Sequence, residues 1–233
     1  MNNRNNIVIL TGAGISAESG LATFRAADGL WEGHRVENVA TPEAFVRDPA
    51  LVHQFYDARR ARLAEVAPNA AHLALTRLDV EWPGELLIVT QNVDDLHERA
   101  GAKRLLHMHG ELNRGWCLRC NERFAWSGAM GDGAACPGCD TRGMVRPDIV
   151  WFGEMPYEME TIEAALMNAD LFVSIGTSGA VYPAAGFVQT ARYRGASTLE
   201  INLEPSQGSI FFDERRYGPA GVEVPKWVEE LLG

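Results

Sequence analysis

Four apolar runs, at positions 7–10 (IVIL), 86–90 (LLIVT), 171–175 (LFVSI) and 197–203 (STLEINL), have the length and composition of buried β-strands. Between them, residues 42–47, 51–66, 70–78, 159–168 and 183–193 carry helical patterns. Strands alternating with helices predict an α/β fold: a Rossmann-like parallel sheet with helices on both faces. One stretch breaks the rhythm. Residues 115–144 hold all four cysteines among loop-forming neighbours, with no long apolar run, and predict a small inserted module. The expected organisation is a single catalytic unit over 1–233. Its sheet domain spans 7–114 and 145–233, with a helical segment at about 38–80. Residues 224–232 read as a short closing helix with Pro225 in its first turn.

The first strand runs into Thr11-Gly12-Ala13-Gly14-Ile15-Ser16-Ala17-Glu18. Gly12, Gly14 and Ala17 fit the G-x-G-x-x-(G/A) pattern of a dinucleotide pyrophosphate loop, in which a helix N-terminus faces the phosphates. The same small residues also recur at ordinary tight turns. A dehydrogenase would follow with a second strand ending in an acidic residue about 20 positions on. The chain instead gives Phe24-Arg25-Ala26-Ala27-Asp28-Gly29-Leu30-Trp31, a loop-like run. A dinucleotide fits; its redox use does not.

Cys117-x2-Cys120 and Cys136-x2-Cys139 are two knuckles separated by 15 residues. That spacing matches a four-thiolate zinc site, which has no open position and is therefore structural. Two disulfides or a redox pair are the alternatives, and both suit a reducing cytoplasm less well. A nucleic-acid-binding zinc ribbon would want more basic residues than Arg114, Arg119, Arg123 and Arg142.

Polar residues at strand ends supply further candidates. Gln91, Asn92 and Asp94 follow the second apolar run, where α/β sheets bind ligands, although Asn92 or Asp94 could equally cap a helix. His107 and His109 sit at period-two spacing, on one side of an extended segment, with no third metal ligand evident. Gly110 after His109 permits a sharp exit or a close approach. Gly176-Thr177-Ser178 and Asn202-Leu203-Glu204 end the last two runs, and a strand-end acid can hold ribose hydroxyls.

Composition narrows the class. With 46% hydrophobic and 22% charged residues the chain is an ordinary globular protein, long enough for one core and a satellite. No run approaches the roughly 20 apolar residues of a membrane span. The start, Met-Asn-Asn-Arg-Asn-Asn, lacks a signal-peptide core, so a cytoplasmic location without a targeting extension is expected. A net charge of −10 argues against nucleic-acid binding and mildly favours lysine-rich partners.

GAGISAESG…FR, QNVDDLH, MHGEL, the paired C-x-x-C knuckles, GTS and NLE, in this order, resemble the sirtuins, NAD-dependent protein-lysine deacylases, and within them the bacterial class III branch. The resemblance covers residues 7–232. It implies that Gly12, Ala13, Gly14, Ser16 and Glu18 surround the pyrophosphate, with Phe24 and Arg25 on a mobile loop and Trp31 close by. It places Gln91, Asn92 and Asp94 at the nicotinamide ribose and carboxamide. Gly176, Thr177 and Ser178 fall on the adenosine side, Asn202, Leu203 and Glu204 at the adenine ribose, and Ala220 at the adenine.

Val150-Trp151-Phe152-Gly153-Glu154 matches one wall of the cleft that takes the acyl-lysine segment as an added strand. The implied reaction consumes NAD: the acyl group leaves lysine for ADP-ribose, nicotinamide is released, and His109 is the general base beside Asn92. Tyr56 and Arg59, three apart on one helix face, match the class III pattern that reads the carboxylate of succinyl- or malonyl-lysine. Residue type alone would make them a solvated face within the Arg59, Arg60, Arg62 run. Acyl-lysine proteins, including metabolic enzymes such as acyl-CoA synthetases, are the implied partners, with a monomer as the default state. An ADP-ribosyltransferase or NAD glycohydrolase using the same cleft is the rival reading, and a non-catalytic ADP-ribose-binding or zinc-ribbon module a third.

Overall fold

A computed structural model describes residues 5–23, 30–31, 33–131 and 133–233. Phe24 and Arg25, expected on the cofactor loop, lie outside the described residues, as do Ala26 and Ala27. The chain runs β1 (Asn6–Thr11), a 3-10 turn (Ala13–Ser19), β2 (Leu30–Trp31), β3 (His34–Arg35), α1 (Val36–Val39), α2 (Pro42–Arg47), α3 (Pro49–Ala64) and α4 (Ala70–Glu81). It continues through β4 (Glu85–Thr90), α5 (Leu96–Ala100), β5 (Leu105–His107), β6 (Gly110–Cys117), β7 (Arg123–Ala125) and β8 (Val145–Ile149). It closes with α6 (Met159–Met167), β9 (Leu171–Ile175), α7 (Phe187–Tyr193), β10 (Ser197–Asn202), β11 (Glu214–Tyr217) and α8 (Ala220–Leu232).

Six strands form one sheet in the order β11-β10-β9-β1-β4-β5, every pair parallel. The uninterrupted apolar runs follow from burial on both faces. On β1, Ile7 and Ile9 join a core with Leu75, Leu78 and Trp227 of α4 and α8. Val8 and Leu10 point the other way, into a core with Ile162, Phe187 and Val188 of α6 and α7. Successive side chains alternate across a strand, so a strand covered on both faces must be apolar at every position.

The chain leaves β1 towards β4 and β5, then returns to β9 and moves outward to β10 and β11. The carboxyl ends of β1 and β9 are therefore the switch point, where such sheets open a ligand crevice.

An antiparallel sheet, β7-β6-β8, carries Cys117 at the end of β6 and the other three cysteines in the connections between its strands. It begins at Gly110, directly after His109, and ends at Ile149, directly before Val150. It is anchored to α3 through Asp57, which accepts from the backbone N–H of Met130 and Gly131 (2.8 and 3.0 Å), and through Arg60, which donates to the carbonyls of Leu112 and Gly128.

Three expectations change. Pro225 lies inside α8 rather than in its first turn, because the helix starts at Ala220. His107 and His109 do not share an extended face: β5 stops at His107 and a turn carries Met108 and His109. The segment after Gly12 is a seven-residue 3-10 turn rather than an α-helix.

Candidate functional site

The β1 glycines pack against the β9 loop. A Cβ on Gly12 would lie 2.8 Å from the Gly176 carbonyl oxygen, and one on Gly14 2.7 Å from the Gly176 Cα. Gly176 adopts φ +63°, and a Cβ there would come within 2.5 Å of the Ile15 nitrogen. The N–H groups of Gly12 and Gly14 donate to the carbonyls of Ile175 and Gly176 (3.0 and 2.9 Å). These glycines are therefore small so that two loops can interlock, and two of their donors are spent in doing so. Asn202 adds a third strand end by donating through Nδ2 to the Thr177 carbonyl (2.8 Å). Ser178 accepts at its carbonyl from Gln207 N–H, tying in the loop after β10. Leu203 and Glu204 are exposed at the rim.

Glu18 has a structural partner: its carboxylate accepts the Gly221 N–H (2.6 Å) in the first turn of α8, beside the core-packed Ala220.

Beneath the loops lies a polar cluster. Ser16, Asn92 and Asp94 are all buried. Asn92 Nδ2 donates to the Gly12 carbonyl and to Ser16 Oγ (both 3.2 Å), and Ser16 Oγ donates to Asp94 (3.0 Å). Because the Gly12 carbonyl can only accept, the Asn92 amide is oriented, and its Oδ1 makes no hydrogen bond among the described residues. Asp94 also accepts the Leu96 N–H at the start of α5, so the capping and ligand readings of this residue coexist. Burial raises its carboxyl pKa, against the opposing pull of those two donors.

His109 Nδ1 sits 3.2 Å from the Gln91 carbonyl. A carbonyl only accepts, so Nδ1 carries the proton and neutral His109 keeps its lone pair on Nε2. Burial lowers its pKa, partly offset by that carbonyl, which keeps the ring neutral at pH 7. His107 differs. Burial works against its charge, but the Glu98 carboxylate 2.6 Å from Nε2 and the Asn92 carbonyl 3.1 Å from Nδ1 raise its pKa overall.

A layer of polar residues missed in the sequence supports the cluster. Thr11 Oγ1 donates to Thr90 Oγ1 (2.9 Å) and lies 3.1 Å from His97 Nε2. The Asn69 N–H meets His72 Nδ1, turning Nε2 towards Ser16. Burial lowers the pKa of His72 to about 4 and that of His97 to about 3. Both stay neutral in the fold, whereas an unfolded histidine protonates near ~6.5. Their contribution to stability is thus complete above ~6.5 and lost as pH falls towards 4 and 3. His107, with its raised pKa, acts in the opposite direction. Thermal melts between pH 7 and 4.5 should show a falling midpoint, with a shallower slope in His97→Asn; parallel slopes would contradict the buried neutral pair.

The third cluster joins α3 to the segment after β8. Tyr56 is completely buried and Trp151 is 2% exposed. Trp151 Nε1 donates to the Tyr56 hydroxyl at 2.9 Å, although 95 residues separate them. The Arg59 guanidinium lies 3.9 Å over the Trp31 ring. Glu154 accepts from Trp151 N–H (2.8 Å) and pairs with Arg146 through both oxygens (2.6 and 2.9 Å). Phe152 and Gly153 are exposed beside the half-buried Val150.

The four sulfurs converge as well. Cys117 and Cys139 Sγ are 3.8 Å apart, and Cys120 and Cys136 3.6 Å. All four lie within 4.8 Å of one another. A tetrahedron of thiolates about 2.3 Å from zinc has edges near ~3.8 Å, whereas a disulfide needs about 2.05 Å. The donor set fits zinc.

A doubly wound parallel sheet with ligand-type side chains at its switch point, joined to a four-cysteine module, defines a nucleotide-binding α/β protein. A model of the Sir2 family matches residues 12–183. An NAD-dependent protein deacylase of Vibrio vulnificus (strain YJ016) is 59% identical over 229 residues, covering 97% of this chain and 94% of that protein. One from Bdellovibrio bacteriovorus is also 59% identical, covering 97% of each. Among solved structures, a Sir2 homologue–NAD complex superposes with TM-score 0.89 at 36% identity, covering 99% of this chain and 92% of that one. A Sir2 homologue mutant bound to ADP-ribose gives 0.90 at 37%, covering 98% and 92%. The chain belongs to the Sir2 family.

No helix among the described residues is long and apolar enough to cross a membrane.

Proposed function

We propose that the protein is an NAD-dependent protein-lysine deacylase that removes succinyl and malonyl as well as acetyl groups. The observation that carries this reading is the oriented His109. Its Nδ1–H is committed to the carbonyl of Gln91, the residue directly before Asn92 of the Ser16–Asn92–Asp94 cluster, and this leaves Nε2 as the basic nitrogen. The dinucleotide fits on the unspent Asn92 Oδ1 and on the interlocked loops carrying Gly12, Ala13, Gly14, Gly176, Thr177 and Ser178. Glu18 belongs with the pyrophosphate loop, and Asn202, Leu203, Glu204 and Ala220 complete the adenosine end.

When bound, NAD supplies the ADP-ribose that accepts the acyl group. The chain's own part is positioning and proton transfer. His109 Nε2 takes a hydroxyl proton at neutral pH because burial keeps the ring uncharged. Asn92, fixed by Gly12 and Ser16, holds its amide still. Ser16 and Asp94 back that amide, Ser16 Oγ accepting from Asn92 Nδ2 and donating to Asp94. Val150, Phe152 and Gly153 offer one wall for an extended peptide, with main-chain bonds giving loose sequence preference. The zinc thiolates hold the module that separates His109 from Val150 and take no part in the chemistry.

Tyr56 and Arg59 read the distal carboxylate: a guanidinium pairs with it and a phenol adds a hydrogen bond. Proteins bearing acyl-lysines, metabolic enzymes among them, are the substrates. A reducing cytoplasm suits four free thiolates. One chain carries every group named, so a monomer suffices.

The test is a kinetic comparison on acetyl-, malonyl- and succinyl-lysine peptides with NAD, following O-acyl-ADP-ribose. Accumulation of free ADP-ribose or ADP-ribosyl-protein instead would favour glycohydrolase or transferase chemistry. Arg59→Met should lower desuccinylation about 10–100-fold more than deacetylation, the worth of a hydrogen bond to a charged group. Equal losses would contradict carboxylate reading.

A further inference from the structure

The buried contact between Trp151 and Tyr56 has a consequence for acyl choice, and it rests on the carboxylate reading proposed above. An indole N–H can only donate. At 2.9 Å from the Tyr56 hydroxyl it occupies an acceptor position of that oxygen. The phenolic hydrogen itself makes no hydrogen bond among the described residues. Burial also raises the Tyr56 pKa, so the phenol stays protonated. Tyr56 is thereby left with one unspent donor in a water-excluded setting, next to the Arg59 charge.

The indole itself has little freedom. The Arg146 guanidinium stacks 3.3 Å over its ring. Glu154 holds that guanidinium through two bonds and the Trp151 backbone N–H through a third. Tyr56 and Trp151 are also stacked, at 29° between planes.

We infer that Trp151 is a positioning residue for acyl selectivity: it makes the Tyr56 hydroxyl a dedicated donor, which favours an acyl group ending in an acceptor-only carboxylate. A neutral acyl chain leaves that buried O–H unsatisfied, whereas succinyl or malonyl completes it. Trp151 therefore acts through Tyr56 and touches no reacting atom. Without the indole donor the phenol is free to rotate or to accept, and the preference for an anionic chain weakens.

The test is a double-mutant cycle read on the succinyl-to-acetyl ratio of kcat/KM, with Trp151→Phe, Tyr56→Phe and the pair. Trp151→Phe should lower the ratio on the order of tenfold in the parent background and less than twofold where Tyr56 is already Phe. An unchanged ratio, or equal drops in both backgrounds, would overturn the inference. Should Trp151→Phe misfold, β-(3-benzothienyl)alanine at position 151 removes the N–H while keeping the ring's shape, and the same ratio decides. If Tyr56→Phe and Arg59→Met both leave the ratio untouched, the carboxylate reading itself fails. If they lower it and Trp151→Phe does not, only the role of Trp151 fails.

Discussion

Replacing His109 by tyrosine is expected to reduce lysine deacylation by about 10²–10⁴-fold, the usual worth of a positioned general base. The fold should survive, because the side chain makes one hydrogen bond, to the Gln91 carbonyl, at the mouth of the cysteine-bearing sheet. Circular dichroism should match the parent, and the melting midpoint should stay within a few degrees. The parent enzyme carries the same signature in its pH profile. A base works only when unprotonated, so kcat/KM should fall as pH drops through the His109 pKa. Burial puts that limb below the ordinary histidine value of ~6.5. Retained turnover in the variant, or an acid limb above pH 7, would remove His109 from its assigned role.

Stripping the metal is expected to have the second large effect. Among the described residues the module's own core holds Cys117, Met130, Ala134, Cys136 and Val145 as buried apolar residues, with Phe124, Trp126 and Cys139 half-buried against them. A core that small rarely holds a segment of roughly forty residues together without a metal or disulfides. Structural zinc typically supplies about 10–16 kcal/mol to such small folds. Chelation, or Cys136→Ser, should therefore unfold residues 110–149 while the parallel sheet persists. Activity should be lost with the module, since β6 starts beside His109 and β8 leads into residues 150–154. The checks are metal content near one zinc per chain and hydrogen exchange across the module. A metal-free protein that keeps both the cysteine-bearing sheet and full turnover would refute the four-thiolate site.

Much of the architecture was legible because its causes are local. The runs at 7–10, 86–90 and 171–175 are apolar at nearly every position, as a strand buried on both faces requires, and are too short for helices. β5 and β11 were not legible: at three and four residues, on the sheet edges, they carry no periodicity to read. Pro225 was misplaced because α8 begins with Ala220-Gly221, weak as a helix signal, and is started instead by the Glu18 carboxylate 203 positions away. Of the site, the ordered motifs named Asn92, Asp94 and His109; QNVDDLH ends on His97 without showing its role, and no local pattern set apart His72. A lone histidine on a helix looks the same whether it faces solvent or a buried hydroxyl.

The sequence by itself determined the parallel sheet, the four-sulfur ligand set and the positions of the glycine loop, since strand burial, knuckle spacing and small-residue turns are written in neighbouring residues. Only the tertiary structure decided what those residues do to one another. Gly12 and Gly14 are small because Gly176 lies against them, and His109 has its tautomer because Gln91 turns a carbonyl towards it. Tyr56 becomes a donor because Trp151, ninety-five residues on, fills its other side. Each of these depends on a directional contact across the fold, and hydrogen-bond direction and backbone approach have no period along the chain.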